Sequence, residues 1–160
     1  MSVRTPEDLQ RYLDEAGIAG KIVYLDMPTP TVEAAAQAVG ISPDRIIKSV
    51  LFLVNRETPV LAIANGTSHI DSRAIARRFG VGRKRVRLAD AQTVQHFTGY
   101  PAGAVPPFGH ATQMDTLVDP AVLEHTQVYG GGGSGSALLH FDPRDLLRVS
   151  GAVVVSLIGP

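Results

Sequence analysis

Residues 46–65 read "IIKSVLFLVNRETPVLAIAN", and this stretch decides the fold. Residues 46–54 are almost all apolar and β-prone. That is the pattern of a strand buried on both faces, not of one alternating between core and water. Residues 59–65 repeat the composition after a short polar connection, so the two runs read as a hairpin. A sheet whose central strands are covered on both sides needs helices or a second sheet to cover them.

The flanking sequence supplies both. Thr5, Pro6, Glu7 and Asp8 form a helix start, with a capping hydroxyl, a proline in the first turn and acids at the positive end of the dipole. Leu9, Tyr12, Leu13 and Ala16 follow at helical spacing, and Gly17 ends the run. "KIVYLD" (21–26) reads as a strand, "MPTP" (27–30) as a turn, and Thr31 as the cap of an Ala-rich helix from Val32 to Val39. "SPDR" (42–45) is a further short cap or helical turn. Helices are expected at 71–80, 90–98 and 142–149, and strands at 86–88, 114–119, 126–130, 137–142 and 152–158. The order lacks regular βαβ alternation. The expected fold is α+β: a mixed, largely antiparallel, barrel-like sheet with surrounding helices, forming one domain over 1–160.

Composition narrows the function. The chain has 160 residues, a formal net charge of zero and no cysteine. Disulfides, thiolate zinc sites and a catalytic thiol are excluded. No whole-molecule field steers the protein toward a polyanion, so any such site is a local patch. No apolar leader or long apolar run is present, which reads as a cytoplasmic protein without a membrane partner.

Lys48 is the sharpest local anomaly, a lysine among core-seeking residues in a chain with only three lysines against twelve arginines. Either it snorkels out at a strand end, or its amine is aimed into a pocket to hold an anion. Ser49 points to the opposite strand face. Seven basic residues crowd positions 73–87: Arg73, Arg77, Arg78, Arg83, Lys84, Arg85 and Arg87. They form either a solvated face or a phosphate-contacting patch. "GYPAGAVPPFGH" (99–110) holds three glycines and three prolines, the composition of a stiff, backbone-rich loop. "GGGGSG" (130–135) reads either as a strand connection or as a linker, and lacks the Gly-Lys-Ser/Thr of a phosphate-binding loop. The five histidines show no paired metal spacing, and no nucleophile elbow occurs.

Taken in order, "RIIKSVLFLV", "PVLAIANGTSHID", "GYPAGAVPPFGH" and "VYGGGGSGSALLHFDPRDLLRVSGA" resemble the YbaK/prolyl-tRNA synthetase editing-domain family over about residues 5–158. Lys48 matches the lysine of the family's Lys-Ser/Thr pair, and Gly103 to Pro107 match its Gly-x-x-x-Pro loop. The resemblance implies trans-acting hydrolysis of the ester joining a wrong, small amino acid to the 3′ end of a tRNA. It implies Lys48, Gly103 and Pro107 as catalytic residues. Ser49, Leu25, Ala104, Val105, Pro106, Phe108, Gly130 and Gly131 are implied as substrate-binding residues. Arg77, Arg78, Arg83, Lys84 and Arg85 become candidates for tRNA contact. Mischarged tRNA is the implied partner, with an aminoacyl-tRNA synthetase as a docking partner, and neither cofactor nor metal is expected.

The chain departs from relatives where the amino-acid pocket is shaped. Leu25 stands where some carry an aromatic residue, Ser49 where some carry Asn, and a glycine run at 130–131 where one subgroup has a serine. Two competing readings are a non-catalytic tRNA-binding module on the same fold and a metal-dependent hydrolase built on histidines.

Overall fold

The computed structural model describes residues 3–159. Among these residues five α-helices form: α1 (Pro6–Ala16), α2 (Val32–Val39), α3 (Ser72–Phe79), α4 (Ala91–Thr98) and α5 (Asp145–Val149). The first four begin at a side-chain cap, on Thr5, Thr31, Asp71 and Asp90, and each ends at a glycine in the left-handed region. At α1 the cap is reciprocal: the Asp8 carboxylate accepts from the Thr5 amide at 2.8 Å.

The strands are β1 (Lys21–Tyr24), β2 (Ile47–Val54), β3 (Thr58–Asn65), β4 (Val86–Leu88), β5 (Asp115–Val118), β6 (Val128–Gly131), β7 (Ala137–Phe141) and β8 (Val153–Val154). They make two sheets, ordered β1-β7-β6 and β4-β2-β3-β5-β8. The β2–β3 pair is antiparallel with Val54 opposite Thr58, closed by a turn at Asn55 and Arg56, both at positive φ. The five-stranded sheet is mixed, because β5 lies parallel to β3 and β8 parallel to β5.

The hairpin is covered on both faces, as its composition requires. Ile47, Leu51, Leu61 and Ile63 join a core with α1, the three-stranded sheet and α5, in which Leu9, Leu13, Leu139, Phe141 and Leu146 are buried. Phe52, Val54, Val60, Ala62 and Ala64 pack on the other face against Ile75, Val86 and Leu117.

Two expectations are corrected. The sheets do not close into a barrel. They meet edge to edge at a single parallel bridge, Ile46 to Tyr129, and no ladder joins β2 to β6 among the described residues. The run at 152–158 is strand only at Val153–Val154. After it the Val155 amide donates to Val118 O at 3.0 Å, the Asp119 carboxylate accepts from the Leu157 amide at 2.9 Å, and Ile158 makes an isolated antiparallel bridge to Ile70.

Candidate active site

The failure of the sheets to close makes the site. Where β2 and β6 part, a cavity of about 340 Å³ opens between them. Along residues 47–50, β2 has a ladder partner only on its β3 side, since β4 pairs only with Phe52–Val54. Strand edges therefore face the cavity, and backbone groups dominate its chemistry. Its wall includes Ile47, Lys48, Ser49, Gly103, Val105, Gly130 and Gly131.

Lys48 is half-buried, and its ammonium donates to the backbone carbonyl of Ser68. Burial pulls its pKa below the usual lysine value. The N-terminal turn of α2, with Thr29 to Val32, lines the same cavity, so the positive end of that helix lies beside a lysine. Ser49 lies on the next strand position, and its hydroxyl oxygen is buried without a hydrogen-bond partner among the described residues. A buried hydroxyl left unpaired costs roughly 1–3 kcal/mol, which a ligand donor or acceptor would recover.

The loop at 99–110 divides its residues between two tasks. Ala102, Gly103 and Val105 reach the cavity, with Ala102 and Gly103 exposed and Gly103 at φ +86. The Gly103 and Val105 amides donate to no described residue. Ala104, Pro106, Pro107 and Phe108 are buried and lie outside the cavity wall. Phe108 packs edge-on against Phe141 at 5.3 Å and tilted against Tyr12 at 5.6 Å. Leu25 also stands one layer back, beside Ala35 and Ile46, which do line the cavity.

The glycine run clasps this loop. A Cβ at Gly131 would stand 2.1 Å from the Val105 carbonyl oxygen, so only glycine admits that approach. The Gly133 amide donates to Ala104 O at 3.0 Å. From inside the loop, His110 Nε2 donates to Pro106 O at 2.7 Å, which fixes the neutral tautomer. Burial lowers the His110 pKa to about 4. The Tyr100 phenol at the loop base is fully buried, which pushes its pKa up to about 12 against the opposing pull of the Arg4 guanidinium.

Arg77, Arg78, Arg83, Lys84, Arg85 and Arg87 are exposed and form no ion pair with a described residue, whereas Arg73 binds Asp71 at 3.0 Å. The fold adds Arg56 to this group, because the Asn55 amide at the hairpin turn donates to Arg85 O at 2.9 Å. The strip runs into β4, whose last residue, Leu88, is 68% exposed and lines the cavity.

Sequence reasoning did not name Val32, Ala35, Leu88, Ala89 or Val94 as cavity wall. The available signal was the Ala-rich helix, whose short side chains leave space beside β2. Among the described residues no group of three or more His, Asp or Glu gathers at one point. Among the described residues no helix is long and apolar enough to cross a membrane.

Comparisons with known proteins bear on the family and the fold. A family model described as "Aminoacyl-tRNA editing domain" matches residues 26–149. The "Putative Cys-tRNA(Pro)/Cys-tRNA(Cys) deacylase EbsC" of Enterococcus faecalis is 23% identical, over 75% of this chain and 72% of its own length. Proline–tRNA ligase of Desulforamulus reducens is 31% identical over 82% of this chain, which spans only 24% of that enzyme. A crystal structure described as "a putative trans-editing enzyme for prolyl tRNA synthetase" superposes with TM-score 0.88 and 32% identity, covering 97% of each chain.

Proposed function

The chain belongs to the aminoacyl-tRNA editing domain family, and from that premise we propose that it is a trans-acting deacylase that removes a small amino acid from a mischarged tRNA. The observation that carries the reading is the cavity lined by Lys48, Ser49, Gly103 and Val105, of which the Ser49 hydroxyl and the Gly103 and Val105 amides have no hydrogen-bond partner among the described residues.

Such a site suits an ester that needs little chemical help. A water oxygen adds to the carbonyl carbon. The tetrahedral oxyanion collapses, and the bond to the ribose 3′-oxygen breaks. That oxygen takes up one proton of the water, relayed by the neighbouring ribose 2′-hydroxyl, and the amino acid leaves as its carboxylic acid, which gives its remaining proton to solvent. The protein holds and orients the ester and stabilises the oxyanion. In this reading Lys48 pairs with the phosphate of the terminal nucleotide, exchanging the Ser68 carbonyl for a charged partner. Gly103 and Val105 offer N–H groups to the carbonyl oxygen. Ser49 takes the amino group or the water. Pro107 acts from the core side, by stiffening the loop.

The apolar wall, with Val32, Ala35, Ile47 and Leu138 among its members, suits a small aliphatic side chain. One methylene is worth about 1–3 kcal/mol in binding, so a synthetase that cannot reject a smaller residue gains from a second site. The basic strip beside Leu88 gives the acceptor end a path to the cavity. Association with a synthetase belongs to the same reading.

The test is a panel of tRNAs mischarged with alanine, cysteine, serine or threonine, incubated with wild type and Lys48→Ala. Wild type releases at least one amino acid, and Lys48→Ala loses most of that rate. Binding of every tRNA without turnover would replace the deacylase with a tRNA-binding module.

A further inference from the structure

Arg4 and Thr5 precede α1, Pro6 opens it, and all three lie outside the 26–149 stretch that the family model matches. Arg4 nevertheless grips the site loop at both of its ends. The Arg4 amide donates to Gly99 O at 2.8 Å, and Arg4 Nη1 donates to Gly109 O at 3.2 Å. Gly99 and Gly109 bound the loop, at φ +82 and +75, conformations that L side chains rarely adopt. The arginine stem lies flat on the first of them: a Cβ at Gly99 would stand 2.8 Å from Arg4 Cδ. Pro6 backs the clasp, since a Cβ at Gly133 would stand 3.0 Å from Pro6 N, and Gly133 holds Ala104 O. One short segment thus ties both ends of the loop and supports the glycine that holds its middle.

We infer that Arg4 is a positioning residue for the deacylation site, fixing loop 99–110 so that Gly103 and Val105 face Lys48 across the cavity. The inference rests on the deacylase reading above. Arg4 does not line that cavity, so it acts through the loop. Arginine suits the task. It is always charged, its planar fork is preorganised, and a charged donor to a carbonyl is stronger than a neutral one. A glycine-rich loop left untied would sample positions an ångström or more apart, and a misplacement of about 1 Å costs on the order of 10²-fold in rate.

Two variants and two readouts test it. Arg4→Met keeps the backbone amide and most of the stem but removes the guanidinium. Arg4→Lys keeps a cation and a donor. Deacylation kcat is expected to fall about tenfold in Arg4→Met, the effect of losing one charge-assisted hydrogen bond, with KM within about twofold. Arg4→Lys recovers part of that loss. Amide hydrogen exchange reads the tether without any turnover. The Gly133 and Ala104 amides exchange about tenfold faster in Arg4→Met, while those of β2 and β3 keep their wild-type rates. If no mischarged tRNA proves to be a substrate, the deacylase reading falls and the exchange data still decide whether Arg4 holds the loop. Unchanged exchange at Gly133 and Ala104 overturns the inference. So does faster exchange spread equally over β2 and β3, or faster loop exchange with kcat intact.

Discussion

Replacing Gly131 by alanine isolates the clasp on the site loop. Gly131 is not at positive φ, so alanine brings no backbone strain of its own. The cost is contact. The new Cβ would stand 2.1 Å from Val105 O, 2.6 Å from Val105 C and 3.0 Å from Ala104 C, all backbone atoms that no rotamer change can move. Reaching an ordinary carbon–oxygen separation of roughly 3.3 Å requires a shift of about 1.2 Å between β6 and the loop. Overpacking of this kind costs about 1–3 kcal/mol, and in a chain of this size each kcal/mol lowers the melting midpoint by about 2–4 °C. Val105 is itself cavity wall, so the same shift lowers deacylation kcat by on the order of 10²-fold. The assay pairs thermal melting with release of amino acid from mischarged tRNA. Gly82→Ala is the control, because its Cβ meets nothing within 4 Å and its φ is −73, so alanine there leaves stability unchanged or raises it by up to about 1 kcal/mol. Wild-type melting and wild-type turnover in Gly131→Ala would refute the argument that this glycine is set by the approach of the loop.

Stability should fall as the solution is acidified through the range set by His110, whose folded pKa is about 4 against the ordinary 6.5. Between those values the unfolded chain binds a proton that the folded chain refuses, so the contribution is complete above about pH 6.5 and is lost as pH falls toward 4, levelling below it. The full shift corresponds to about 3 kcal/mol, an upper bound because the residue keeps partial contact with water. Urea unfolding at pH 7 and pH 4.5 should show a smaller difference for His110→Gln than for wild type, and equal differences would assign the acid sensitivity to other groups. Exchanging Arg77, Arg78 and Arg83 together for glutamine should weaken tRNA binding and reduce the slope of log Kobs against log salt by up to about 3. An unchanged slope would make the strip a solvated face.

Much of this architecture can be read from local chemistry. The expected caps at Thr5 and Thr31 accept an amide of their own helix, and the hairpin forms as its apolar runs require. What the sequence hides is long-range. Nothing local tells β5 to pair parallel with β3, or stops the run at 152–158 after two strand residues, since those outcomes depend on Asp119 and on the sheet edge available. The site divides the same way. Lys48 is conspicuous by composition, and resemblance singles out the loop. The split of that loop into a cavity wall at Gly103 and Val105 and a core plug at Pro107 and Phe108 depends on which backbone the glycine run touches. Tyr100 and Phe108 carried the signal in their size, because large apolar side chains in a stiff loop seek a core.

The parallel pairing of β3 with β5 sets Val60 against Asp115, and the chain between them contains the whole of loop 99–110. A nascent chain that has just completed the hairpin therefore holds Lys48 opposite Ala64 with the α2 side of the cavity made but the loop side missing. The wall comes with β5, and its clasp at Gly131 to Gly133 comes later still. Pairings that distant in sequence must close a long loop before they are rewarded, so they are slow to form. The cavity is then a product of the late, non-local stage of folding, and a chain stalled before β6 lacks a closed cavity even with its central hairpin in place.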